Sequence, residues 1–559
     1  MRIIQSTSYD MPSFIEELKN TFTGEILFDE ETRKKYSRDA SLLTVKPSIV
    51  VFPKDVDDLK ALVGAVNKKN SEGGTQYSLS ARSGGTDMTG GPLTESIVVD
   101  LNKYFTHIKE VGDGYAITEP GAFYRDFEAK TLERGLLLPS FPASKQICTI
   151  GGMVANNSGG EKTLIYGKTE NFVEHIKMVL RDGKEYMFKP LSLAELEEKK
   201  KLDTIEGDIY RKMHGLIEKN YDALKDAQPH VSKNSAGYYL WNVLDKEKGI
   251  FDLTKMIVGS QGTLGIMTEV KFRLIKPKTH TRLLIAYLKD MREVAHVALA
   301  VLKHKPESFE SFDDHTFTIS MRLLPSMIKK LKGNFITLAF SFLPDLWMMI
   351  TGGIPKLVLL AEFTSDTDEE AYAQALAAQK EIAPFHMKSK VTKSAKGGER
   401  YWVMRRESFN LLRQHVHGKR TAPCIDDIIV RPDQMPEFLP KVYEILNQYD
   451  IIYTIAGHVG DGNFHIIPLM DFHKERAKEI VAELSEKIFA LVGEFKGSIT
   501  AEHNDGLIRT PYLHFMFNED IRGLFVEAKN AFDPDRIFNP GKKVEGSLQY
   551  TFDHILLEQ

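Results

Sequence analysis

The sequence predicts an α+β fold composed of two domains of different architecture. The first half opens with a strand–helix–strand pattern: the apolar run Pro47–Pro53 predicts a strand, helically spaced apolar residues in Asp55–Asn70 predict a helix, and Ser78–Arg82 predicts a second strand. This half also carries three glycine-rich stretches. From Arg282 on, the pattern changes to a separate series of strands and helices. Residues 1–45 are expected to form a helical lead-in.

The second half predicts two strand–helix–strand units separated by a long apolar insertion. The predicted elements are the strand Leu283–Leu288, the helix Met291–Lys303, the strand Glu307–Phe312, the strand Lys356–Phe363, the helix Asp368–Ile382 and the strand Phe385–Ser389. Two such units with an interruption are typical of a split βαβ, ferredoxin-like sandwich. A helix around Tyr401–His417, a hairpin and a helix over His473–Phe495 are expected to follow.

Composition and charge indicate a globular protein with more than one domain. The 559 residues are 42% hydrophobic and 27% charged, which allows two or more cores. The net charge of −4 gives no reason to expect nucleic acid as a partner. The two cysteines, Cys148 and Cys424, can form neither a disulfide framework nor an iron–sulfur site alone, which fits a reducing cytosol.

Contact with a membrane is predicted to be peripheral at most. The first residues, Met1–Ser6, lack an apolar core, so no secretory signal is expected. The longest apolar stretch, Phe335–Ile350, contains Ser341, Pro344 and Asp345 and is too short to span a bilayer. It is predicted to be a buried segment or a subunit contact, with contact to the inner face of the membrane as the alternative. We therefore expect a cytoplasmic location.

The glycine-rich stretches predict a site for a large diphosphate ligand. They are Arg82–Gly91, Ile150–Gly160 and Gly259–Ile266. Glycines let successive backbone N–H groups converge on one anion, although most glycine pairs merely turn the chain. The Gly-x-Gly-x-x-Gly dinucleotide fingerprint does not follow the first strands, and at Gly167-Lys168-Thr169 a lysine, Lys162, stands where a phosphate loop needs its first glycine.

A second site is predicted at the hairpin around Asp461-Gly462, a favoured pair for a type I′ turn. Folding the chain there places His458 opposite His465. Opposed side chains have Cβ atoms about 4.5–5.5 Å apart, so two imidazoles can share one divalent ion, and a carboxylate would complete a site with an open position. The later Glu502-His503 favours this interpretation over a surface hairpin with two solvated histidines.

A series of motifs along the chain carries a resemblance to a known family. They are Arg-Ser-Gly-Gly-Thr at 82–86, Ile-Gly-Gly at 150–152, Asn-Asn-Ser-Gly-Gly at 156–160, Gly-Ser-Gln-Gly-Thr-Leu-Gly at 259–265, Trp402-x-x-Arg405, His-x-Gly-Asp-Gly-Asn-x-His at 458–465, Glu502-His503 and Asn-Pro-Gly-Lys at 539–542. By these motifs the chain resembles the FAD-linked oxidases of the vanillyl-alcohol oxidase type, in the branch that holds D-lactate, D-2-hydroxyglutarate and glycolate dehydrogenases. The match runs from about Pro47 to Lys542.

The resemblance implies an FAD-binding domain of two subdomains, a ferredoxin-like substrate (cap) domain and a C-terminal helical segment that returns to the FAD domain. The expected bounds are 1–276, 277–500 with the metal hairpin, and 501–559. The implied FAD-binding residues are Arg82, Ser83, Gly84, Gly85, Thr86, Thr89, Gly90, Pro142, Gly151, Gly152, Asn156, Ser158, Gly159, Gly262, Thr263, Gly265 and Ile266. Relatives with covalent flavin carry a histidine where this chain has Thr86, so FAD is expected to be bound non-covalently.

The resemblance also implies a metal and substrate site. His458, His465 and Glu502 match the family's metal ligands, for a divalent ion expected to be zinc, and His503 matches its catalytic base. Arg405 matches the arginine that holds the substrate carboxylate, a role that suits a bidentate guanidinium. Arg406 is the alternative for that role.

The implied reaction is oxidation of a D-2-hydroxy acid of the D-lactate kind to the 2-oxo acid by hydride transfer to FAD. The electrons are expected to pass to an external acceptor: a quinone, an electron-transfer flavoprotein or an iron–sulfur partner. Three departures from the family pattern concern the substrate, namely Ile467 in place of Asn, Phe409 in place of Thr, and Asn504 in place of Gly. Two alternatives stay open: a flavin transferase of the alkylglycerone-phosphate synthase kind, and a non-catalytic flavin subunit of a larger oxidase complex.

Overall fold

The structure is a computed structural model that describes residues 11–314, 353–395, 397–405, 419–474 and 476–556. The predictions for Phe335–Ile350, Arg406 and Phe409, and for the helix beyond Arg405, fall outside these residues. Within them the chain forms an α+β fold, as predicted.

The predicted strand–helix–strand start forms a four-stranded sheet in the order β1-β2-β4-β3. Its strands are β1 (Glu25–Leu27), β2 (Ile49–Phe52), β3 (Leu79–Arg82) and β4 (Ile97–Asp100). Both β2 and β3 run parallel to β4, and the connecting helix Val56–Ser71 buries its apolar face against them. All four residues of β2 are buried, as expected for a parallel strand that is covered on both faces. The predicted helical lead-in is wrong in one part, because β1 lies within it and pairs with β2.

The other strands of the glycine-rich half form a five-stranded antiparallel sheet and a small three-stranded sheet. The larger one has the order β5-β6-β12-β7-β8 and the smaller one β10-β11-β9. The strands are β5 (Ile108–Val111), β6 (Tyr115–Thr118), β7 (Val173–Val179), β8 (Glu185–Phe188), β9 (Leu191–Ser192), β10 (Leu244–Asp245), β11 (Ile250–Phe251) and β12 (Ile266–Arg273). This half therefore contains three sheets, of four, five and three strands.

An eight-stranded sheet forms the second half, in the order β16-β13-β15-β14-β19-β20-β17 with β18 paired to β20. Its strands are β13 (His280–Leu288), β14 (Ser308–Asp313), β15 (Leu357–Ser365), β16 (Lys388–Val391), β17 (Arg420–Thr421), β18 (Ile428–Ile429), β19 (Ile452–His458) and β20 (Asn463–Met470). The first four strands are antiparallel neighbours, joined by the helices Val294–Leu302 and Asp368–Glu381, and form the predicted ferredoxin-like unit. Because β19 pairs with β14, the hairpin β19–β20 extends this unit directly.

The C-terminal segment returns to the first half, as predicted. Leu79 donates a backbone hydrogen bond to Ile537 at 2.7 Å, and Asn539 donates one to Leu79 at 2.9 Å, so residues 537–539 lie beside β3. Residues 397–405 are helical. The remaining α-helices of the described ranges are Met11–Leu18, Glu30–Tyr36, Tyr124–Leu132, Ile150–Asn156, Thr163–Tyr166, Leu193–Lys200, Ile205–Lys219, Tyr221–Asp226, Thr254–Ile257, Met435–Leu446, Ala477–Glu494, Gly506–Arg509, Glu519–Phe532 and Leu548–Asp553. No helix in those ranges has the length and apolar character needed to cross a lipid bilayer.

Candidate functional site

The hairpin that carries the two predicted imidazoles has a different turn from the one expected. A type I′ turn needs a positive φ at both central residues. Here only Gly462 has one, with a φ of 74°, because Asp461 lies in a short 3-10 turn. The register pairs His458 with Asn463 and Ala456 with His465. The predicted direct opposition of His458 and His465 is therefore wrong. The two rings still meet diagonally, with centroids 5.4 Å apart.

The two imidazoles and Glu502 converge on one point. Nε2 of His458 lies 3.1 Å and Nε2 of His465 lies 3.5 Å from the same atom, Oε1 of Glu502. Ligand atoms that are each about 2.0–2.1 Å from a tetrahedral zinc ion lie roughly 3.3–3.4 Å apart. The distance of each imidazole nitrogen from this oxygen therefore suits a shared divalent ion.

Each imidazole is backed by a buried carboxylate. Nδ1 of His458 lies 2.7 Å from Oε1 of Glu310, and Nδ1 of His465 lies 3.0 Å from Oδ1 of Asp426. A carboxylate on one ring nitrogen fixes the tautomer and orientation of a metal-binding histidine, and it leaves the other nitrogen for the ion. Asp426 also lies 2.8 Å from Nδ1 of His503, whose ring stacks on that of His465 at 5.1 Å.

Asp427 shapes the chain so that Glu502 and His503 both face this point. Its Oδ2 accepts hydrogen bonds from the backbone N–H groups of Glu502 at 2.9 Å and His503 at 2.7 Å, and from the Thr500 hydroxyl at 2.9 Å. Residues on a regular strand would point to opposite faces, but residues 499–505 form bends and coil. Asp427, His465, Glu502 and His503 have ligand atoms within 4.8 Å of one another. Because the Asp427 carboxylate is occupied by the chain, we regard it as an anchor of the turn.

Lys233 is fully buried and holds the other oxygen of Glu502. Its ammonium lies 3.4 Å from Oε2 of Glu502 and 3.2 Å from Oδ2 of Asp461, and its side chain has 0% exposure. A buried ammonium is stable only when it is paired. Lys233 therefore joins the first half of the chain to the hairpin turn and turns Oε1 of Glu502 towards the imidazoles.

The electrostatic surroundings favour positive charge where the three ligand atoms meet. Burial opposes the charged form of His465, but Asp426 and Glu502 outweigh burial and raise its pKa to about 10. Burial likewise opposes the charged forms of Glu502 and His503. Lys233 and His458 nevertheless hold the pKa of Glu502 well below its usual range, and Asp427 and Asp426 raise the pKa of His503. Such a concentration of anionic oxygens around two imidazole nitrogens suits a dication.

Arg405 lies in the helical segment 397–405 and forms an ion pair with Glu310. Its side chain is only 9% exposed, and that of Glu310 is 1% exposed. Burial opposes the anionic form of Glu310, but Arg405 and His458 lower the pKa of its carboxyl group. The guanidinium is thus separated from the imidazole pair by one carboxylate.

The first glycine loop presents unused backbone donors. Within the described chain, the N–H groups of Gly84, Gly85 and Thr86 donate to no other group. Gly85 has a φ of 66°, a conformation that helps successive N–H groups to point at a common anion. Further along the loop, the N–H groups of Thr89 and Gly91 are used internally, since Oδ1 of Asp87 accepts from them at 2.7 and 3.0 Å. The diphosphate of FAD therefore fits the beginning of this loop.

The second and third loops surround buried polar atoms that lack partners in the described residues. These atoms are Thr149 Oγ1, Asn156 Oδ1, Asn157 Nδ2 and Gln261 Nε2. Buried polar groups are nearly always hydrogen-bonded, so several orphaned donors and acceptors together indicate a polar ligand or water. The carbonyl, N–H and ring-nitrogen groups of a flavin match both kinds of atom.

Five of the predicted FAD contacts have side chains that bind the protein itself; two of them are Thr89, whose hydroxyl donates to Asp87 at 2.8 Å, and Asn156, whose side chain donates to the Glu502 carbonyl. The Arg82 guanidinium donates to the Tyr36 and Arg38 carbonyls at 3.1 and 2.6 Å, Ser83 Oγ accepts from Gly152 N–H at 3.0 Å, and the Thr263 and Tyr238 hydroxyls lie 2.6 Å apart. The others lie in or beside the loops: Gly90 in the first, Gly151, Gly152, Ser158 and Gly159 in the second, Gly262, Gly265 and Ile266 in the third, and Pro142 against Gly160.

The second glycine loop adjoins the imidazole cluster. The Asn156 side chain donates to the Glu502 carbonyl at 2.9 Å, and the Asn504 side chain donates to the Asn156 carbonyl at 3.2 Å. A Cβ atom added to Gly159 would lie 3.2 Å from Oε2 of Glu502. The sites predicted separately from the two halves of the sequence therefore share a border.

Four charged residues of the cluster were not found from the sequence. Glu310 lies in the fully buried strand β14, and a carboxylate there implies a charged partner. Asp426 and Asp427 stand between the apolar residues Ile425 and Ile428, which is a similar indication. Lys233 stands in no comparable apolar pattern, so only the structure connects it with Glu502.

Comparison with protein families settles where the chain belongs. Residues 277–543 match the model described as FAD linked oxidases, C-terminal domain, and residues 47–188 match the FAD binding domain. The chain belongs to the FAD-linked oxidase family. The expected family membership is therefore confirmed, and so is an FAD-binding domain.

The relatives in this family are distant in sequence, but the matches extend over most of this chain. D-2-hydroxyglutarate dehydrogenase of Pseudomonas putida is 27% identical, over 96% of this chain and 52% of that protein. Glycolate oxidase subunit GlcD of Bacillus subtilis is 26% identical, over 92% and 93% of the two chains. The chain spans about half the length of the curated relatives it matches first. The solved 4-ethylphenol oxidase of Gulosibacter chungangensis has the same fold, with a TM-score of 0.68 and 15% identity over 98% of this chain and 100% of that one.

Proposed function

We propose that the protein is an FAD-dependent dehydrogenase that oxidises a D-2-hydroxy acid of the D-lactate kind to the 2-oxo acid, with a divalent metal ion, zinc by ligand type, at His458, His465 and Glu502. The observation that carries this proposal is the convergence of two carboxylate-backed imidazoles on one oxygen of Glu502, next to a glycine loop of the FAD-binding half. The names of two relatives, a D-2-hydroxyglutarate dehydrogenase and a glycolate oxidase subunit, support a 2-hydroxy acid as the substrate.

The two bound groups would supply the chemistry that side chains lack. FAD, held non-covalently by the glycine loops, would supply an acceptor for the hydride from C2 of the substrate. A divalent ion, held by His458, His465 and Glu502, would supply positive charge that lowers the pKa of the substrate hydroxyl.

His503 is the proposed base for the hydroxyl proton. Nδ1 lies 2.8 Å from Oδ2 of Asp426 in an ion-pair contact. A neutral ring that carries its proton on Nδ1 would leave Nε2 to accept the hydroxyl proton. The stack on His465 keeps the ring parallel to a proposed ligand of the metal. In the balanced reaction C2 loses a hydride and the hydroxyl loses a proton, so the carbon–oxygen single bond becomes the carbonyl of the 2-oxo acid.

Arg405 is the proposed contact for the substrate carboxylate. A guanidinium has five N–H donors, so it can bind Glu310 and a second carboxylate at once. The pairing with Glu310 also sets the direction of the guanidinium before a substrate enters. The reduced cofactor would then be reoxidised by an external acceptor, for which a quinone, an electron-transfer flavoprotein and an iron–sulfur protein are the candidates.

Anaerobic reduction of the bound flavin tests the proposal. The protein with FAD is mixed without oxygen with D- and L-lactate, D- and L-2-hydroxyglutarate and glycolate, and the absorbance of the oxidised flavin is followed. At least one D-acid should bleach the flavin much faster than its L-enantiomer. A flavin that no hydroxy acid bleaches, in protein with metal and FAD bound, contradicts the proposal.

A further inference from the structure

The helix Asp368–Glu381 of the ferredoxin-like unit carries apolar residues on two opposite sides. Its inner face, formed by Ala371, Ala375 and Ala378, is fully buried against β13 and β15. On the other side the helix exposes a second row of residues at the spacing i, i+3, i+4, i+7, i+8 and i+11, which is one face of an α-helix. This outer face consists of Glu369, Tyr372, Ala373, Leu376, Ala377 and Lys380.

The outer face presents contiguous apolar surface to solvent. Tyr372 and Leu376 are each 40% exposed, and among the exposed large apolar side chains of the described residues they are the only two that share a helix. Ala373 and Ala377 lie beside them and are exposed as well. A single exposed apolar side chain needs no explanation, whereas a contiguous apolar patch rimmed by charges is typical of a surface that another protein covers.

The aromatic ring of the outer face is held in place within its own copy of the chain. The Arg282 guanidinium lies 5.7 Å from the centre of the Tyr372 ring and forms an ion pair with Asp368 in the first turn of the helix. Tyrosine offers a large contact area at a low cost in conformational entropy. A ring whose orientation is already set loses even less freedom when a partner binds.

The outer face is complementary to itself in the sizes of its side chains. Two copies of the helix can lie antiparallel about a two-fold axis at the midpoint between positions 374 and 375. Residues equally far from this midpoint then face each other, so Tyr372 lies opposite Ala377 of the second copy, and Leu376 lies opposite its Ala373. Each large side chain therefore meets a small one, which is the condition for close packing of two helices.

The charges at the ends of the outer face match in the same arrangement. Glu369 lies opposite Lys380 of the second copy, and the two-fold axis makes this pair occur twice. The ion pairs that the helix forms within the described residues use Asp368 and Glu381 instead, so Glu369 and Lys380 are left for a partner. A parallel arrangement in register would oppose like charges at both ends. Charge and side-chain size therefore both favour the antiparallel pair.

We propose that the outer face of the helix Asp368–Glu381 is a dimer interface, which binds the same face of a second copy of this chain with the two helices antiparallel. The 14 residues of the helix extend over about 21 Å. A contact formed by one pair of helices is smaller than a standard interface of about 800 Å² per partner, so the dimer should be reversible at micromolar concentrations. The proposal is independent of the reaction, because the outer face includes no residue of the glycine loops or the imidazole cluster.

Sedimentation equilibrium of the FAD-loaded full chain tests whether the chain associates. Over a concentration range of about 1–100 μM, the average mass should rise from that of one chain to that of two. An isologous contact is closed by two copies, so the mass should then stay constant. A protein that stays monomeric over the whole range overturns the proposal, whatever else the outer face binds.

A charge in the middle of the outer face locates the contact. Leu376→Glu should weaken association at least tenfold, because it places a carboxylate at the centre of the apolar contact. Its FAD content should equal that of the parent protein, which shows that the chain still folds. Leu202→Glu is the matched control, since Leu202 is 39% exposed in the first half of the chain, and it should leave association unchanged. A dimer that Leu376→Glu does not weaken uses another surface and overturns the proposal.

Exchange of the two end charges tests the antiparallel register. Glu369→Lys and Lys380→Glu each place like charges opposite one another in both pairs, so each should weaken association about fivefold. The double variant Glu369→Lys/Lys380→Glu restores opposite charges across the axis and should associate like the parent protein. Both positions are exposed, so these changes should leave the fold intact. A double variant that associates as weakly as the single variants, or more weakly, would show that Glu369 does not face Lys380 and would overturn the proposed arrangement.

Discussion

The glycine loops and the imidazole cluster use different parts of the chain to form a site. In the first loop the available groups are the backbone N–H groups of Gly84, Gly85 and Thr86, which are neighbours in sequence. In the cluster the groups are side chains from segments as far apart as Lys233, Glu310 and Glu502. The loop therefore depends on local conformation, whereas the cluster exists only after the two halves of the chain have packed together.

Removal of one imidazole should separate the two regions most clearly. His458→Ala deletes one of the three atoms that converge on the metal position, so metal content should fall and turnover should drop on the order of 1000-fold. FAD content should stay as in the parent protein, because the glycine loops are untouched. Metal analysis, flavin absorbance and turnover measure the three quantities.

The control for that change is His473→Ala, which removes an exposed histidine just after the same hairpin. It should alter none of the three quantities. A His458→Ala protein with its metal and turnover intact would remove the ion from the proposed mechanism.

The buried ammonium should matter for metal affinity more than for FAD. Lys233→Met keeps the length of the side chain but leaves the Glu502 and Asp461 carboxylates without their cation. Loss of a partner that orients a metal ligand typically weakens metal binding about 10–100-fold. Competition with a chelator measures the affinity, and the visible spectrum of the cobalt-loaded protein reports any change in coordination.

Lys248→Met is the matched control, since Lys248 also pairs with a carboxylate but its side chain is 78% exposed. Retention of parent-like metal affinity and spectrum in Lys233→Met would show that Glu502 needs no such support.

Truncation of Arg405 should weaken substrate binding and leave FAD in place. Because it also removes the cation paired with Glu310, which backs His458, metal content is measured alongside and restored with added zinc. Arg405→Ala removes charged hydrogen bonds, each of which contributes about 1.5–3 kcal/mol, so KM for the 2-hydroxy acid should rise roughly 10–100-fold. Arg431→Ala, at an exposed arginine that pairs with Asp433, should leave KM alone. An unaltered KM in Arg405→Ala would transfer the carboxylate contact to Arg406.

A change in the glycine loop should give the opposite pattern from a change in the cluster. Gly85→Val places a branched side chain at a φ of 66°, which costs roughly 1–2 kcal/mol. FAD affinity should therefore fall about tenfold, while metal content stays constant. Gly114→Val provides the comparison, because Gly114 has a φ of 80° in a turn with open space around it. If both variants bind FAD like the parent, the conformation of the loop at Gly85 is not needed for the cofactor.

The same contrast explains how much could be predicted from the sequence. The strands and helices of the ferredoxin-like unit follow from periodicity, and their predicted order along the chain is confirmed, with ends shifted by a few residues. The glycine loops were recognised because each of them is a local motif. His458, His465 and Glu502 were recognised for the same reason, even though the predicted register between the histidines is wrong.

What the sequence did not reveal depends on contacts between distant segments. Glu310 becomes a partner of His458 only because β19 pairs with β14. Asp427 turns Glu502 and His503 to the same side through bonds that cross more than seventy positions of sequence. Such contacts leave at most an unexplained charge in a buried segment, which marks a residue as noteworthy without identifying its partner.

The most direct test of the account is anaerobic flavin reduction by a D-2-hydroxy acid before and after metal removal. The flavin of the parent protein should be bleached within the time of one turnover. The flavin of chelator-treated protein that retains FAD should stay oxidised, and added zinc should restore the bleaching. Full-rate bleaching of protein shown to contain FAD and no metal would contradict the proposal that an ion held by His458, His465 and Glu502 takes part in the reaction.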